Sequence, residues 1–456
     1  MNMWIPENVE WIIRELMAHG FEAYAVGGCV RDSVLGREPE DWDITTSAKP
    51  EQVKQIFHRT VDTGIEHGTV TVLIDKEAYE VTTYRVDGEY EDHRHPKEVT
   101  FTASLEEDLK RRDFTINAKA DNPQTGLVDI FEGIDDLNKK IIRCVGNPRE
   151  RFDEDALRIL RAIRFSAQLG FEIDNMTKEA MTEKAETLRD VSAERIRVEL
   201  VKLLVSKHPE KIREAQRLGL TKVVLPEYDT IVGVEQHTPN HIYDVEEHTI
   251  RALQNVEADP ILRLTMLLHD FGKPIVKKQD DGRDIFYKHP EVSAAICKEI
   301  LKRLKFDNYT LDRVCRLVKW HGLKYLPNDR SVRRALNRVG QDIFDAFIKV
   351  QRADISAKNP KVVPEKLVLL KEKEAIYHRV MERGDCFEVK MLAVNGRDLI
   401  QSGIKPGPLL GAVLEQLVEW VIDDPERNRK ELLLEKAQEM KDSPNIFDEK
   451  EYFFEK

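Results

Sequence analysis

The sequence predicts an α+β protein with a small mixed sheet near its N-terminus and helices over the remaining length. Over the first 140 residues, short β-branched runs alternate with turn signals, as in EAYAV, WDITT, GTVTVLI and YEVTTYRV. From about residue 153 to 216, apolar residues recur every three or four positions, as in ALRILRAIRF and AERIRVELVKLL. This periodicity is typical of helices, and strand signals almost vanish after it.

Segments rich in helix breakers divide the chain into four predicted parts. VVLPEYDTIVGVEQHTPNH places a boundary near residue 225, and NPKVVPEK follows a histidine-bearing helical region. Farther on, NGRDLIQSGIKPGPLLG is predicted as a turn that opens a long amphipathic helix through Ile422. We therefore predict a mixed head at 1–140, a helical neck at 141–225, a helical domain at 226–365 and a helical tail at 366–456.

Composition argues against several classes of protein. Charged residues make up 34% of the 456 positions, and no run approaches the roughly 18 apolar residues of a membrane span. The first residues carry acids where a signal peptide would carry bases, so a cytoplasmic protein is expected. Five scattered cysteines without C-x-x-C spacing argue against a disulfide framework or a zinc-thiolate site. The net charge of −12 argues against an overall basic coat for nucleic acid but allows a local positive groove.

The glycine pair Gly27 and Gly28 is predicted at a strand-to-helix turn. It follows the apolar run AYAV and precedes VRDSVLG, whose pattern suits a short helix. Backbone NH groups at such a turn can face a phosphate, glycine allows the phosphate to approach closely, and Arg31 offers a planar guanidinium to its oxygens. The alternative is that Gly-Gly forms only a turn.

Asp41 and Asp43 form a D-x-D pair on a predicted strand. Side chains at i and i+2 of a strand point to the same face, where two carboxylates repel unless a cation lies between them. Magnesium suits such a site because it prefers oxygen ligands and keeps positions open for phosphates and water. The alternative is an exposed acidic turn.

The stretch FDEDALRILRAIRF is predicted as one helix with an apolar and a polar row. The apolar row, expected to pack inward, is Leu157, Leu160 and Ile163, and the polar row is Asp155, Arg158, Arg161 and Arg164. A carboxylate accepts from a base amine and a guanidinium donates to base acceptors, so Asp155 and Arg158 can read a base edge without a template. The alternative is a solvated face with Glu154 and Arg158 as an i, i+4 ion pair.

Taken together, these motifs resemble those of a known family. The order Gly-Gly-x-x-Arg-Asp followed by D-x-D resembles the DNA polymerase β nucleotidyltransferase superfamily. With LKRRDFTINAKA, VDIFEGIDDL and EDALRILRAIRF, the first 220 residues resemble class II bacterial tRNA nucleotidyltransferases, the CCA-adding enzymes, whose relatives include bacterial poly(A) polymerases. The resemblance implies a polymerase β-like head that uses Mg²⁺ to add C, C and A from CTP and ATP to the 3′ end of tRNA, releasing pyrophosphate.

The resemblance also implies roles for individual residues. Asp41 and Asp43 would hold magnesium, with Glu80 in YEVTTYR as a third catalytic carboxylate, although a solvent-facing strand residue is an open alternative for Glu80. The family's base-reading Glu-Asp-x-x-Arg motif falls on Glu154, Asp155 and Arg158. The residues implied to bind the nucleotide are Gly28, Arg31, Arg112, Asp155, Arg158, Arg161 and Arg164.

Two regions bear on the product of the reaction. Poly(A) polymerases of this group carry a basic G-[RK]-[RK]-F stretch where this chain has FHRTVDTGIEHGTVTV, which resembles the CCA-adding pattern. The polar loop VDGEYEDHRHPKEV, residues 86 to 99, resembles the element that full CCA enzymes use to switch from C to A. An A-only enzyme and a poly(A) polymerase remain the competing alternatives.

A histidine-bearing helical region follows the neck. The order H…HD…D is given by His248, His269, Asp270 and Asp354, with His289 and His321 between them. This order resembles HD-domain phosphohydrolases, where imidazole and carboxylate bind a divalent metal that activates water. The resemblance implies a second metal site and hydrolysis of 2′,3′-cyclic phosphate or 2′-phosphate ends, and the alternative is a helical spacer that retained the ligands.

Two further functions of other classes stay open from the sequence. One is an HD phosphohydrolase whose head only binds nucleotide, and the other is a non-catalytic RNA-binding protein. At the C-terminal end, Lys405 and ERNRK at 426 to 430 are candidates for contact with tRNA phosphates, although basic patches on helices are often only solvated faces.

Overall fold

The structure is a computed structural model that describes residues 4–87 and 99–441. Two units are distinguished: Met1–Thr230 with Arg303–Phe306, called unit 1, and Ile231–Lys302 with Asp307–Lys456, called unit 2. The predicted loop at 86 to 99 therefore falls almost entirely outside the described residues. None of the described helices is both long and apolar enough to cross a membrane.

The strands lie mainly in the first 130 residues. They are β1 (Ala23–Val26), β2 (Asp43–Thr46), β3 (Thr60–Gly64), β4 (Thr69–Ile74), β5 (Glu77–Thr83), β6 (Arg85–Asp87), β7 (Val99–Phe101), β8 (Ala120–Asn122), β9 (Gly126–Val128), β10 (Ile141–Ile142), β11 (Glu172–Ile173), β12 (Lys278–Asp280) and β13 (Arg283–Ile285). Seven of them form one sheet in the order β3-β4-β5-β2-β1-β8-β9. The β2–β5 pair is parallel and the other pairs in this sheet are antiparallel, which confirms the predicted small mixed sheet.

Helices dominate the rest of the chain. In unit 1 they are α1 (Glu7–Ala18), α2 (Gly28–Val34), α3 (Pro50–Ile56), α4 (Leu105–Lys110), α5 (Gly133–Lys139), α6 (Pro148–Glu154), α7 (Leu157–Leu169), α8 (Asn175–Glu183), α9 (Ala193–Leu204), α10 (Ile212–Arg217), α11 (Thr221–Val224) and α12 (Pro226–Asp229). Those that follow are α13 (Val245–Gln254), α14 (Pro260–Leu268), α15 (Lys273–Val276), α16 (His289–Arg303), α17 (Asn308–Trp320), α18 (Asp329–Val339), α19 (Phe344–Ser356), α20 (Val363–Arg383), α21 (Gly396–Gln401), α22 (Pro408–Asp423) and α23 (Lys430–Lys441).

The head core forms where α1 packs against the sheet. The buried residues of α1, which are Val9, Ile12, Ile13 and Leu16, follow the i, i+3, i+4, i+7 spacing of an amphipathic helix. They join Ala23 and Ala25 of β1, Ile44 of β2, and Val70 and Val81 of β4 and β5 in one cluster. Complete burial of each larger aliphatic side chain contributes roughly 1.5–3 kcal/mol, so this cluster fixes the central strands that carry the predicted site.

Two local predictions were wrong in their details. The strand β2 begins at Asp43, so Asp41 precedes the strand and only the second carboxylate of the D-x-D pair lies in it. The predicted single helix across residues 154–164 is broken, because α6 ends at Glu154 and α7 begins at Leu157. Asp155 has extended backbone angles (φ −143°, ψ 103°), and its side chain accepts from the Leu157 NH. A short side-chain acceptor at this position competes with helical hydrogen bonding and favours a new helix start.

Beyond residue 140 the structure adds features that the sequence pattern did not indicate. Four short strands form the two-stranded pairs β10–β11 and β12–β13. Part of the predicted turn NGRDLIQSG is the helix α21, which begins at a capping box made by Asn395 and Asp398. The long helix predicted to follow is α22, and it extends through Ile422 as expected.

The helical core of unit 2 is centred on α14. Its sequence PILRLTMLL is apolar on nearly every face, and its residues from Leu262 to Leu268 are all buried. Such a helix requires neighbours on several sides. α13, α17 and α19 supply them, and His269 and Asp270 follow directly after its last residue.

Candidate active site

A cavity of about 460 Å³ opens in unit 1 between the strand-to-helix turn and the helix α7. Its lining includes seven arginines and three aspartates, so it is a locally positive groove on an acidic chain. Of the predicted nucleotide-binding and metal-binding residues, the structure brings Gly28, Arg31, Asp43, Arg112, Asp155, Arg158, Arg161 and Arg164 to this lining. Lining residues for which the sequence analysis proposed no role are Arg111, Asp113, Asn117, Phe165 and Arg195, and Leu157, expected in the apolar row, also lies in the lining.

The glycine turn lies between β1 and α2, where the sequence placed it. Gly27 has φ 85° and ψ −128°, a backbone conformation that residues with a side chain rarely adopt. A Cβ at this position would lie 3.1 Å from Nη1 of Arg112. The absence of a side chain therefore allows the Arg112 guanidinium to approach the turn.

Arg31 is fixed from two sides. Its Nε and Nη2 donate to the two oxygens of Asp32 at 2.9 and 2.7 Å, and its Nη1 donates to Oδ1 of Asn117 at 2.9 Å. The Asp32 contact is the bidentate geometry that guanidinium and carboxylate favour. Arg31 therefore faces the cavity with little freedom to rotate.

Phe165 of α7 is surrounded by three guanidinium groups. The ring is buried, and its centroid lies 5.2 Å from Arg31, 5.4 Å from Arg161 and 4.0 Å from Arg164. Cations over an aromatic face are attracted by the ring quadrupole, by about 0.5–2 kcal/mol each. The ring thus helps to keep three like charges in one pocket.

The three predicted carboxylates are close enough to influence one another. Asp43 and Glu80 are direct partners in the parallel β2–β5 pair. Burial raises the pKa of Asp43. The positive charge of Arg112 opposes this shift, and the negative charge of Asp41 adds to it. The pKa of Glu80 is raised mainly by burial and further by the negative charges of Asp43 and Asp41. Mutual repulsion of this kind is relieved by a bound cation, so these oxygens fit Mg²⁺.

Asp113 anchors the polar row of α7. The carboxylate is buried, and it accepts from Nε of Arg161 at 2.8 Å and from Nδ2 of Asn117 through its other oxygen at 3.2 Å. Burial alone would raise the pKa of Asp113, but the Arg161 charge and these hydrogen bonds outweigh burial and hold it at about 2. The carboxylate is therefore charged at neutral pH, and it orients Arg161 toward the cavity.

The two residues predicted to read the base are each held by a second charged group. Arg158 is paired with Glu154 through Nη1, and it also donates to the backbone carbonyls of Arg151 and Arg111. Asp155 accepts from Nη2 of Arg195 at 2.8 Å. The Glu154 and Arg158 ion pair, considered above as the alternative to base reading, is thus present, although only Arg158 of the pair lines the cavity.

The helix α9 supplies a further partner to α7. Nε of Arg164 lies 2.6 Å from Oε2 of Glu199, and both side chains are less than 10% exposed. Burial lowers the pKa of Arg164 to about 10, although the Glu199 charge opposes this shift. Arg164 keeps its charge at neutral pH, and its position depends on α9.

The residues of the predicted histidine-bearing site form one cluster in unit 2, which is buried except for the partly exposed His289. Nε2 of His248 lies 3.3 Å from Nε2 of His269 and 3.1 Å from Oδ1 of Asp354. Oδ2 of Asp270 lies 3.2 Å from Nε2 of His269, and Oδ1 of Asp270 lies 3.4 Å from Nε2 of His289. His321 completes the cluster, with its Nε2 3.3 Å from Nε2 of His289.

All four imidazoles of this cluster are oriented in the same way. Nδ1 of each ring lies 2.7–3.2 Å from a backbone carbonyl oxygen, which belongs to Ala357 for His248, Met266 for His269, Phe286 for His289 and Val318 for His321. A proton on Nδ1 leaves Nε2 as an acceptor, which is the state of a metal-ligating histidine. The donor set therefore fits one or more divalent cations.

Two sets of ligand atoms in this cluster lie within 4.8 Å of one another. They are His248, His269 and Asp354, and His269, Asp270 and His321. In the described part of the chain, no other group of three or more metal-ligating side chains meets this distance. Two lysines that the sequence analysis did not consider bind the carboxylates, since Lys273 Nζ lies 2.6 Å from Asp270 and Lys358 pairs with Asp354.

The basic residues predicted for the tail are partly engaged within unit 2. Lys405 is exposed. Arg427 lies over the Trp420 ring at 5.0 Å and donates to the Trp420 carbonyl, whereas Lys430 pairs with Asp398 at 2.6 Å.

Three models of known protein families match this chain. They are the poly A polymerase head domain over residues 23–143, the probable RNA and SrmB-binding site of polymerase A over residues 170–231, and the putative tRNA nucleotidyltransferase domain 2 over residues 286–437. The first match covers the sheet and the glycine turn, and the second covers α9.

Relatives and solved structures match nearly the full length. The CCA-adding enzyme of Levilactobacillus brevis is 37% identical over 94% of this chain and 98% of the relative, and that of Enterococcus faecalis is 35% identical over 94% and 95%. The crystal structure of Bacillus stearothermophilus CCA-adding enzyme in complex with CTP is 29% identical, with a TM-score of 0.71 over 94% of this chain and 96% of that chain. The Thermotoga maritima CCA-adding enzyme complexed with tRNA is 22% identical with a TM-score of 0.58. The shared fold covers 95% of this chain and 96% of that chain.

Proposed function

The chain belongs to the CCA-adding enzymes, template-independent tRNA nucleotidyltransferases that add C, C and A from CTP and ATP, and we propose that the arginine-lined cavity of unit 1 is where it does so. The observation that supports this proposal is the convergence on one cavity of eight residues expected to bind metal or nucleotide, although they lie between residues 28 and 164 of the sequence. A pocket with seven guanidiniums suits a triphosphate.

We propose that Asp41, Asp43 and Glu80 hold the catalytic magnesium. When bound, Mg²⁺ lowers the pKa of the attacking 3′-hydroxyl and neutralises charge on the triphosphate. The parallel register of β2 and β5, two central strands of the sheet, pairs Asp43 with Glu80, so the two residues are neighbours across these strands. Asp41 precedes β2 and supplies its charge from the adjoining loop.

The glycine turn and two arginines are proposed to bind the triphosphate. Gly27 and Gly28 leave the turn open to close approach, and Arg31 and Arg112 lie at its sides. Arg31 is already oriented by Asp32 and Asn117, so the phosphate does not have to order this side chain on binding. Positioning and neutralisation of charge are the main needs of phosphoryl-type transfer.

Base selection is proposed to depend on Asp155 and Arg158. The Asp155 carboxylate accepts from the exocyclic amine that C and A both carry, and the Arg158 guanidinium donates to ring acceptors. U and G present a carbonyl oxygen where C and A present the amine, so they would place one acceptor against another. Arg161 and Arg164 complete the lining on the following turns of α7.

Incorporation of labelled nucleotide tests this proposal. The enzyme is incubated with tRNA that lacks its 3′ CCA, with CTP alone, ATP alone and both. We expect CTP alone to extend the tRNA by two residues and the mixture to extend it by three, whereas addition of A alone, or of many A residues, would support the A-only enzyme or the poly(A) polymerase.

Substitution of the carboxylates tests the metal assignment. Asp41→Ala and Asp43→Ala should each lower kcat by about a thousandfold or more, because lost metal binding removes several kcal/mol of stabilisation from the transition state. Asp62→Ala, at an exposed surface ion pair of the same sheet, is the control. Glu80→Gln tests the third ligand, and unchanged incorporation in Asp43→Ala would refute the assignment.

A second activity is proposed for the histidine cluster of unit 2. Four Nε2 atoms and two carboxylates converge in a space that is buried except at the partly exposed His289, and they form the donor set of metal-dependent phosphohydrolases. A cation in this site would activate water, and Lys273 beside Asp270 would favour an anionic substrate. By resemblance, we propose 2′,3′-cyclic phosphate or 2′-phosphate ends of RNA as substrates.

The phosphohydrolase proposal is tested separately from CCA addition. His269→Ala and Asp354→Ala should abolish release of the 2′ phosphate from RNA ends while tRNA extension continues. His378→Ala, an exposed histidine of the same unit, is the control. Failure of the unaltered enzyme to hydrolyse such ends with Mg²⁺, Mn²⁺, Ni²⁺ or Co²⁺ would support the helical spacer.

We also propose that Lys405 and the segment 426–430 contact tRNA phosphates. The contribution of these contacts to tRNA affinity should fall as the salt concentration rises.

A further inference from the structure

We propose that Arg195 is a positioning residue for nucleotide selection, acting by holding the Asp155 carboxylate in the orientation that reads the base. This inference depends on the base-reading role proposed for Asp155. Arg195 lies on α9, outside the polar row of α7, and its side chain lines the same cavity as Asp155.

The geometry fixes both oxygens of Asp155. Oδ1 accepts from the Leu157 NH at 3.0 Å, and Oδ2 accepts from Nη2 of Arg195 at 2.8 Å. The first contact ties the carboxylate to the first turn of α7, and the second ties it to α9. With one donor on each oxygen, rotation about the side-chain torsions would break at least one hydrogen bond.

The remaining lone pairs of Asp155 are available to a nucleotide. A carboxylate has about four acceptor positions, so two donors leave roughly two positions unused. The Asp155 and Arg195 side chains are 19% and 23% exposed, so the pair is partly open at the cavity. An acceptor held in this way can receive the exocyclic amine of C or A, and it meets the carbonyl oxygen of U or G with like polarity.

The neighbouring contacts of α9 support a positioning role for this helix. Glu199 lies four residues after Arg195, which places both side chains on one face. Arg195 binds Asp155 near the N-terminal end of the polar row, and Glu199 binds Arg164 at its C-terminal end. One face of α9 therefore holds two members of a row that lines the nucleotide cavity.

A purely structural role makes a different prediction. If Arg195 only linked α9 to the break between α6 and α7, its removal would lower stability and affect all four nucleotides equally. If Arg195 positions Asp155, its removal changes the ratio of kcat/KM values between nucleotides. Loss of a hydrogen bond to a charged group corresponds to about ten- to hundredfold.

The experiment measures kcat and KM for CTP, ATP, UTP and GTP on tRNA lacking CCA or only its terminal A. The variants of the full chain are Arg195→Ala, Arg195→Lys, Asp155→Ala and the double variant. Lys202→Ala removes an exposed positive charge from the same helix and is the control. Thermal unfolding of each variant reports whether the fold is retained.

We expect Arg195→Ala to lower the CTP/UTP and ATP/GTP ratios of kcat/KM by about tenfold or more, with the larger change in KM. Arg195→Lys should restore part of the selectivity, because it keeps a donor and the charge. The double variant should be no less selective than Asp155→Ala alone, because the two residues act as a unit.

The outcomes separate the two proposals. If Asp155→Ala keeps full selectivity, the base-reading role fails, and the role of Arg195 fails with it. If Asp155→Ala loses selectivity but Arg195→Ala keeps it, only the positioning role is overturned. Equal losses for all four nucleotides in Arg195→Ala, accompanied by a lower unfolding temperature, would assign Arg195 a structural role instead.

Discussion

Single arginines in the unit 1 cavity owe their orientation to carboxylates that lie on other elements. Asp113 precedes the neck and binds Arg161, and Glu199 of α9 binds Arg164. A guanidinium that is already paired loses less side-chain entropy when a phosphate binds. The arginine side chains of the cavity are therefore largely held in place by carboxylates of the protein itself.

The pKa of Asp113 predicts acid sensitivity. The folded value of about 2 lies below the ordinary value of 3.8, so the stabilisation is complete above about pH 4 and is lost as pH falls toward 2. The shift corresponds to about 2 kcal/mol. Urea unfolding between pH 2 and 5 should show a steeper loss of stability in the unaltered protein than in Asp113→Asn.

Asp135→Asn is the matched control for this measurement. Asp135 is an exposed carboxylate that pairs with Lys139 on the surface of α5, where ion pairs contribute little. Its variant should retain the pH dependence of the unaltered chain. An identical pH dependence in Asp113→Asn would contradict the role given to the buried carboxylate.

Substitution of Gly27 is expected to affect both the stability of the protein and the binding of nucleotide, and the two effects can be measured separately. Gly27→Ala places a side chain where φ is +85° and 3.1 Å from Arg112, so both the backbone and the guanidinium must shift. We expect a loss of about 1–3 kcal/mol of stability, together with a higher KM for CTP and ATP. Thermal unfolding and steady-state kinetics measure the two effects.

Gly20→Ala separates backbone strain from the effect on Arg112. Gly20 also has a positive φ of +87°, but a Cβ there would meet nothing within 4 Å. This control should lose stability with unchanged KM. A normal KM in Gly27→Ala would show that the contact with Arg112 does not affect nucleotide binding.

At the scale of elements, the helices α7 and α9 each contribute apolar side chains to the core and charged side chains to the cavity or to its support. Leu157, Leu160 and Ile163 of α7 are buried, as the sequence predicted. Arg158, Arg161 and Arg164 of the same helix line the cavity, and Leu157 also contributes to that lining. α9 contributes Ile196, Leu203 and Leu204 to the core and uses Arg195 and Glu199 for α7. Packing between the two helices therefore sets the positions of the charged groups.

The Glu199 and Arg164 ion pair predicts a large stability effect. Glu199→Ala leaves a buried guanidinium without its carboxylate partner, which costs about 3–5 kcal/mol. Chemical unfolding of unit 1, followed by fluorescence of Trp4, Trp11 and Trp42, measures this loss. Glu194→Ala, at an exposed position of the same helix, should change stability by less than about 0.5 kcal/mol.

A double variant tests whether the cost comes from the unpaired charge. Replacing Arg164 with Leu in the Glu199→Ala background removes both charges and should recover part of the lost stability. No recovery would indicate that packing, and not charge, accounts for the effect of Glu199→Ala.

At the scale of the whole molecule, two chemically different sites occur in two units of one chain. The cavity of unit 1 combines arginines with oxygen ligands, which suits nucleotide and magnesium. The cluster of unit 2 combines imidazoles with buried carboxylates, which suits a transition metal. CCA addition and the proposed phosphohydrolase activity should therefore respond differently to chelators and to single substitutions.

Removal of a metal from the histidine cluster is expected to change only the unfolding transition of unit 2. A cation that binds only the folded cluster stabilises by about 4 kcal/mol at a free concentration a thousandfold above its Kd. For a unit of this size, removal with EDTA should lower its unfolding temperature by roughly 10 °C. Calorimetry measures the shift, and elemental analysis measures the metal that is released.

His248→Ala is the control for metal removal. Nε2 of His248 lies 3.1 Å from Asp354, so the variant should bind less metal and its unfolding temperature should not respond to EDTA. CCA addition in fresh Mg²⁺ should be retained by this variant. An EDTA response equal to that of the unaltered protein would place the bound metal elsewhere.

Much of the fold and of the site followed from local sequence. The sequence correctly predicted β1 from AYAV, the turn from the glycine pair and α2 from VRDSVLG. Strand alternation, glycine turns and helical spacing are signals that extend over only a few residues. The predicted polar row of α7 and the histidine order likewise identified side chains that the structure brings together.

The sequence by itself determined the class of fold, the family and most residues that line the two sites, because motifs of short range carry this information. Only the tertiary structure decided which groups orient them, since Arg195 binds Asp155 from 40 residues away and Arg161 binds Asp113 from 48 residues away. It also decided that α6 and α7 are separate helices. Such pairs depend on how helices pack, and packing leaves no periodic signal in either segment alone.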